Sequence, residues 1–298
     1  MNRKEFLYTS STLIGGLSLG RIPFPAFRQS IRIGLITDLH YAERDTPEGS
    51  TRFYRESLKK LSECITVMNR EKVDFLIQLG DFKDQDDPPE ETETLAYLRT
   101  MANELSHFNG PIYHVLGNHD HDSISKQQFL DGVTISGFNH PKSYYSFDKN
   151  GFHFIVLDAN YTATGEAYDH GNFDWKDANI PQDQLEWLRK DLKRTRKPTI
   201  VFVHQRLDEK DGNANYCVRN ASAVREILEK AENVTLVLQG HYHPGDMSTI
   251  NGIVYYTLKA AVEGSGLENN SFAILEIDKK LEMNVIGYHK TESRLLRS

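Results

Sequence analysis

The chain has 298 residues, of which 39% are hydrophobic and 26% are charged, and its formal net charge is −7. This composition is typical of a globular protein that can bury a substantial core. The negative charge argues against a groove that follows a nucleic-acid backbone, because such surfaces are basic. It does not exclude phosphate binding through metal ions, because bound cations dominate the local charge. The two cysteines, Cys64 and Cys217, are too few for a disulfide framework.

The amino-terminal residues 1–28 differ from the rest of the chain. Arg3 and Lys4 precede a mildly apolar stretch rich in Ser, Thr and Gly, which is the order of an export signal. The segment resembles a twin-arginine signal with Arg-Lys in place of Arg-Arg, and it is too short and too polar for a transmembrane helix. We therefore expect an exported, periplasmic protein. The alternative is a disordered tail on a cytoplasmic protein.

Residues 29–298 are predicted to form one domain in which strands and helices alternate. Four stretches have helical periodicity, namely 52–70, 90–106, 181–194 and 221–231. Pro181 suits a first helical turn, and Asn220 or Ser222 is a candidate cap for the last helix. Five hydrophobic runs predict buried strands: IRIGLIT, VDFLIQL, PIYHVL, TIVFV and VTLVLQ.

The last third of the chain is richer in strands. GIVYYTL, SFAILEI and LEMNVIGYH alternate or run apolar, with a hairpin-like break at Asp278. Together these elements predict an α/β fold, a four-layer sandwich of two mixed β-sheets flanked by helices. Two polar segments with scattered aromatics, 159–180 and 205–219, follow strand ends, and we expect both to overhang the functional crevice.

Each of the five predicted strands is followed by residues that bind metals or transfer protons. These segments are Asp38-Leu39-His40, Gly80-Asp81, Gly117-Asn118-His119-Asp120, His204 and Gly240-His241-Tyr242-His243. Singly, such residues are common as helix caps, turn residues or interior histidines. Because strands of layered α/β proteins deliver their carboxyl ends into a shared crevice, the five together predict a two-metal hydrolytic site.

The ligand types suggest how two ions would be shared. Asp81 is the candidate bridge, because Gly80 before it allows close backbone approach. We expect Asp38, His40 and His243 to complete one metal, and Asn118, His204 and His241 to complete the other. This donor set accepts manganese, iron or zinc, so the identity of the two divalent ions stays open.

Other residues are candidates for proton transfer and substrate binding. His119 lies beside the predicted ligands and suits proton donation to a leaving oxygen, with Asp120 holding its tautomer. Arg52, Arg55, Tyr161 and Cys217 are candidate substrate contacts. The alternatives are solvated helix charges for the arginines and a buried small side chain for Cys217.

The five segments resemble the calcineurin-like metallophosphoesterase family. Its pattern is Asp-x-His, Gly-Asp-x-x-Asp, Gly-Asn-His-Asp/Glu, a lone His and Gly-His-x-His, and all five blocks occur in order within residues 38–243. The second block is complete, from Gly80 to Asp84. The resemblance implies a β-sandwich flanked by helices, and a dinuclear centre in which a metal-bound hydroxide attacks phosphorus in line.

A narrower resemblance extends to the manganese-dependent ADP-ribose/CDP-alcohol diphosphatases. The segments that look like this group are 38–42 (DLHYA), 51–58 (TRFYRESL), 184–188 (QLEWL), 216–220 (YCVRN) and 259–264 (KAAVEG). His40 is a departure, since that group can carry Gln at this position.

These observations predict a phosphohydrolase with two divalent ions that cleaves phosphodiester or pyrophosphate bonds of small molecules, including nucleoside-diphosphate-linked compounds such as ADP-ribose or CDP-alcohols. A broad-specificity phosphomonoesterase is the alternative enzyme. A scaffold or binding protein with the same fold is the alternative outside enzymes. The oligomeric state is left open.

Overall fold

A computed structural model describes residues 29–209, 212 and 214–298, so the export-signal prediction for residues 1–28 lies outside the described residues. Twelve strands occur in this part of the chain: β1 Ile31–Ile36, β2 Phe75–Gln78, β3 Ile112–His114, β4 Tyr145–Lys149, β5 Phe152–Val156, β6 Thr199–Phe202, β7 Val234–Gln239, β8 Asp246–Ile250, β9 Ile253–Thr257, β10 Ser271–Ile277, β11 Met283–His289 and β12 Arg294–Arg297. The α-helices are α1 Ser57–Glu71, α2 Glu91–Leu105, α3 Lys126–Gly132, α4 Gln182–Arg194 and α5 Ala221–Lys230.

The strands form two mixed six-stranded sheets, with the orders β12-β11-β10-β1-β2-β3 and β4-β5-β6-β7-β9-β8. In the first sheet β1, β2 and β3 run parallel. In the second, β5, β6, β7 and β9 run parallel. All five strands that precede the candidate site residues have a parallel neighbour, and β3 is at the edge of its sheet. The candidate site residues therefore lie at the carboxyl-terminal ends of the parallel strands in the two sheets.

The inner faces of the two sheets pack through aromatic rings. Phe75 on β2 lies with its ring centroid 5.6 Å from Phe147 on β4 and 5.2 Å from Phe154 on β5. Phe75 and Phe154 are fully buried. Such edge-to-face contacts combine a large buried apolar area with favourable ring electrostatics, so this cluster holds the two sheets together.

Helices cover the two outer faces. Leu61 of α1 and Met101 of α2 belong to the same core cluster as the first sheet. Leu188 of α4 and Val224 of α5 pack with the outward residues of the second sheet in a separate cluster. The predicted sandwich of two mixed sheets flanked by helices is therefore confirmed. Among the described helices, none has both the length and the apolar composition that a bilayer crossing requires.

Two local predictions differ from the structure. The helix predicted from residue 52 begins at Ser57, because Arg52 forms an isolated bridge with Glu263 and the Phe53 amide donates to Val262. Asn220 precedes α5 but its side chain makes no capping bond. Its amide group instead exchanges two hydrogen bonds with the backbone of Ile180, and so joins the end of the 159–180 segment to the start of α5.

A buried histidine links the second sheet to its covering helix. His153 on β5 lies 2.7 Å from Asp148 on β4 through Nδ1 and 2.7 Å from Asp191 on α4 through Nε2. Burial by itself lowers the pKa of His153, but the two carboxylates outweigh it and raise the pKa above its ordinary value. Folding therefore stabilises the protonated form of this imidazole relative to the unfolded chain.

This histidine predicts a pH-dependent part of the stability. Because the folded pKa exceeds the unfolded one, the contribution is complete below about pH 6.5 and is lost as the pH rises through the folded value. We expect His153→Gln to flatten the fall in the free energy of unfolding over that range, measured by urea denaturation with a chelator present. His140→Gln, at an exposed position, is the control and should follow the wild-type curve. Parallel curves for wild type and His153→Gln would contradict the assignment.

Candidate metal centre

Two fully buried carboxylates occupy the crevice at the strand ends. Asp38 follows β1 and Asp81 follows β2, and their exposed fractions are 0% and 1%. Burial alone raises a carboxyl pKa, but neighbouring histidines, His204 foremost, hold the pKa of both groups well below the usual range. The crevice therefore contains two buried negative charges, which require positive partners.

One group of ligand atoms surrounds Asp38. Its Oδ1 lies 3.4 Å from His243 Nε2 and 3.8 Å from His40 Nε2. The two Nε2 atoms are 3.3 Å apart. Three donor atoms within 4.8 Å of one another could hold one metal ion.

A second group surrounds Asp81. Its ligand atoms come from Asp81, His204 and His241, again within 4.8 Å of one another. Burial, with His204 next to it, lowers the pKa of His241 to about 3, so this imidazole is in the neutral form that binds metals. Within the described residues, His241 Nε2 and Asn118 Oδ1 are buried without a hydrogen-bond partner. Such atoms fit a metal that completes their coordination.

Asp81 lies between the two groups. Its Oδ2 is 3.4 Å from His40 Nε2 in the first group and 3.0 Å from His204 Nε2 in the second. Its Oδ1 accepts the His119 amide at 2.8 Å, which fixes the orientation of the carboxylate. The structure thus brings together six of the seven residues predicted as ligands, with the predicted bridge in the middle. The seventh, Asn118, directly precedes His119, whose amide binds that bridge. Their carboxylate, amide and imidazole donors could hold a dinuclear site of manganese, iron or zinc.

The backbone around these ligands is tightly folded. Four of the residues have positive φ angles, which cost about 1–2 kcal/mol each for residues other than glycine: Asp38 at 52°, His40 at 47°, Asp81 at 53° and His241 at 66°. Cross-segment hydrogen bonds hold this geometry, among them His40 N to Asp81 O at 2.9 Å. A Cβ on Gly240 would clash with Thr37 and lie 2.8 Å from Asp38 Oδ2, so only glycine fits there.

His119 stands at the edge of the cluster, and its partner is not the predicted one. Its Nδ1 lies 2.7 Å from Asp122 Oδ2 and 3.6 Å from Asp84 Oδ2. Burial lowers the pKa of His119, but the carboxylates of Asp122, Asp84 and Asp81 outweigh it and raise the pKa to about 10. The imidazolium is therefore favoured at neutral pH.

The prediction that Asp120 orients His119 is wrong. The Asp120 carboxylate turns away from the imidazole and accepts backbone amides from Gly117 at 2.8 Å, Phe82 at 2.9 Å and Asp81 at 3.1 Å. It therefore ties the third block to the second. Residues 119–121 form a 3₁₀ turn, which points consecutive side chains in different directions and brings residue 122 below residue 119.

Glu263 is a site residue to which the sequence alone assigned no role, although it belongs to the segment 259–264. Its Oε1 is hydrogen-bonded to Nδ1 of His243, which lowers the pKa of Glu263 to about 2. The loop that carries it is held by Lys60, whose buried Nζ donates to Ala261 O and Gly264 O at 2.7 Å each. Since Nδ1 of His243 is engaged, Nε2 is directed to the first ligand group.

The two arginines predicted to bind substrate differ in their position relative to the metal centre. Arg52 lies beside the centre, with Nε 3.9 Å from Glu263 Oε1. Arg55 is exposed, and its guanidinium pairs with Glu43 at 3.2 Å and with Asp45, so the alternative of a solvated charge describes it better.

Tyr161 and Cys217 also have neighbours other than the ligand groups. The Tyr161 ring lies 3.9 Å from Lys126 Nζ, and Lys126 pairs with Asp158. Cys217 is only 5% exposed, and burial raises the pKa of its thiol to about 11. A role for either in substrate binding stays a prediction, and for Cys217 burial favours the alternative of a packed small side chain.

The chain is similar to known proteins in both its sequence and its fold. The family model described as calcineurin-like phosphoesterase matches residues 31–245, a range that includes all five blocks. A manganese-dependent ADP-ribose/CDP-alcohol diphosphatase from Arabidopsis thaliana is 25% identical over 269 residues, covering 77% of this chain and 86% of the relative. A 3′,5′-cyclic-nucleotide phosphodiesterase from Nostoc is 25% identical over 222 residues, covering 72% of this chain and 71% of the relative.

A solved structure has the same fold. The crystal structure of a dimetal phosphatase from Danio rerio superimposes with a TM-score of 0.74 and 21% sequence identity. The match covers 90% of this chain and 98% of that chain.

The contact of Glu263 with His243 predicts an effect on metal affinity. A carboxylate on the second imidazole nitrogen raises the basicity of the ligand and fixes its tautomer, and losing such a partner weakens metal binding about 10- to 100-fold. We expect Glu263→Gln to fall near the low end of this range and Glu263→Ala near the high end, in calorimetric titrations of metal-free protein with Mn²⁺. Glu282→Gln, at an exposed position, is the control. Unchanged affinity in Glu263→Ala would contradict this role.

Proposed function

This chain belongs to the calcineurin-like phosphoesterase family of metal-dependent phosphoester hydrolases, and from that premise we propose that it hydrolyses phosphodiester or pyrophosphate bonds of small molecules. Nucleoside-diphosphate-linked compounds such as ADP-ribose or CDP-alcohols are the substrate class that we favour. The observation that carries the proposal is the Asp81 carboxylate, 3.4 Å from one ligand group and 3.0 Å from the other, with His119 beside it.

The seven ligand residues have a defined task in this reaction. Asp38, His40 and His243 would hold one divalent ion, and Asn118, His204 and His241 the other, with Asp81 shared. The chemistry that such a pair supplies is activation of water and neutralisation of charge on the phosphoryl oxygens. The burial of the two aspartates excludes water from their carboxylates and strengthens their attraction for cations.

His119 is the residue that we assign to proton donation. Its Nδ1 is engaged by Asp122, so Nε2 is the nitrogen that remains to protonate the leaving oxygen. The carboxylates around it favour the protonated ring. Cations held by Asp81 would oppose this effect, because like charges disfavour the imidazolium. Asp84 contacts both a ligand residue and the proton donor. Its Oδ2 lies 3.0 Å from His40 Nδ1 and 3.6 Å from His119 Nδ1.

Two observations support a nucleotide-linked substrate. The relatives from Arabidopsis thaliana and Nostoc are named for nucleoside-diphosphate-linked and cyclic-nucleotide substrates, respectively. Arg52, near Glu263 and His243, offers a guanidinium that can bind a second phosphate group. Because of the Nostoc relative, a cyclic nucleotide is the second candidate substrate.

The assignment of His119 predicts a loss of turnover without loss of metal. We expect His119→Gln and His119→Ala to lower kcat by about 10²- to 10⁴-fold, the usual contribution of a general acid. Mn²⁺ content, measured on the same preparations, should stay at the wild-type level. His107→Gln, at an exposed position, should keep wild-type kcat. Near-wild-type rates in both His119 variants would refute the assignment.

A substrate panel tests the reaction itself. With Mn²⁺ present, we expect cleavage of ADP-ribose to AMP and ribose phosphate, at a higher kcat/KM than any phosphomonoester. Products identified by chromatography distinguish this from cyclic-nucleotide hydrolysis. Hydrolysis of phosphomonoesters alone would favour the broad phosphatase. No turnover with manganese, iron, cobalt or zinc would favour a scaffold.

A further inference from the structure

Two aromatic side chains outside the ligand set lie against one candidate ligand. The ring centroids of Trp175 and Tyr216 are 5.5 Å and 5.7 Å from that of His241. The two rings are 5.3 Å from each other, and Tyr242 lies 5.0 Å from Tyr216. Trp175 and Tyr216, which we call the aromatic shelf, are both half-buried, so part of each ring remains accessible.

The shelf is built from the two long loops over the crevice. Trp175 belongs to the loop of residues 159–180 and Tyr216 to that of residues 205–219. Arg219 joins them: its Nε pairs with Asp177 Oδ1 at 2.5 Å, and its amide donates to Ala178 O at 2.8 Å. These contacts hold the shelf beside the metal centre, where both of its rings lie against the imidazole of His241.

The Trp175 ring is more exposed than an aromatic side chain that packs in the core. In the same loop, Tyr168 stacks on Phe173 at 4.0 Å and 7° and is fully buried, which is a packing role. Trp175 meets Tyr216 at 47° and His241 at 64°. Because Trp175 is only half-buried, part of its ring surface is available to a planar ligand. Lys176 Nζ, 5.4 Å from the Trp175 centroid, adds positive charge next to it.

We propose that the aromatic shelf is the nucleobase subsite of this enzyme, and that a base stacks there while the phosphate joined to its ribose lies at the metal centre. This inference rests on the proposed function and names the residues that would select a nucleotide. Aromatic side chains stack on bases of any sequence, because every base has a π-face, so the shelf would accept both adenine and cytosine nucleotides.

The first experiment measures selectivity. We expect Trp175→Leu to raise KM for ADP-ribose about tenfold or more, equal to about 1.4 kcal/mol, with kcat changed less than about threefold. The rate with a ring-free phosphodiester, glycerophosphocholine, should be unchanged. Tyr216→Leu should act in the same direction, and Trp175→Phe should restore most of the affinity. Trp187→Leu on α4, where the ring packs on Tyr144 at 5.0 Å, is the matched control.

The second experiment measures binding without turnover. The chain has two tryptophans, so Trp187→Phe leaves Trp175 as the single emitter. We expect AMP to quench its fluorescence to saturation, because a stacked base lies on the indole, and ribose 5-phosphate to leave it unchanged. In Trp175→Leu, emission from Trp187 should not respond to AMP.

The possible outcomes distinguish a failure of the nucleobase-subsite proposal from a failure of the proposed hydrolytic activity. Nucleotide hydrolysis with unchanged KM in Trp175→Leu and no quenching by AMP would overturn the shelf and leave the proposed function intact. Saturable quenching by AMP in a protein that hydrolyses no phosphoester would support the shelf and overturn the catalytic assignment.

Discussion

The structure depends on two carboxylates that are buried at adjacent strand ends. Asp38 and Asp81 have almost no exposed surface, and a charged group removed from water costs several kcal/mol unless opposite charge lies beside it. The surrounding imidazoles supply part of that charge, but two of the buried polar atoms, His241 Nε2 and Asn118 Oδ1, have no partner among the described residues. A pair of divalent cations would satisfy the carboxylates and these atoms together.

The fold provides this arrangement through two sheets and a strained backbone. Parallel strands of the first sheet deliver Asp38, Asp81 and Asn118, and parallel strands of the second deliver His204 and His241. The positive φ angles of four ligand residues show that the chain turns sharply directly after its strands. Backbone strain of this kind persists only where surrounding structure over-determines it, as the hydrogen bonds between blocks do here.

Much of this could be predicted from the sequence, because each ligand follows a hydrophobic run within a few residues. The residues that were assigned wrongly or not at all depend on side-chain and loop geometry, which the spacing of residues in the sequence does not determine. Asp120 adjoins His119 in sequence, but the 3₁₀ turn gives His119 to Asp122 instead. Glu263 comes twenty positions after His243, and only the path of its loop brings the two together. Trp175 and Tyr216 meet because Arg219 ties two irregular loops, and no periodic pattern marks such loops.

The central claim is that the two ligand groups hold two divalent ions with Asp81 between them. Diffraction from Mn²⁺-soaked crystals, recorded at the manganese absorption edge, tests it most directly. We expect two anomalous peaks per chain, both within coordination distance of Asp81. One should also lie within that distance of Asp38, His40 and His243, and the other within that distance of Asn118, His204 and His241. A single peak, or peaks away from these residues, would contradict it.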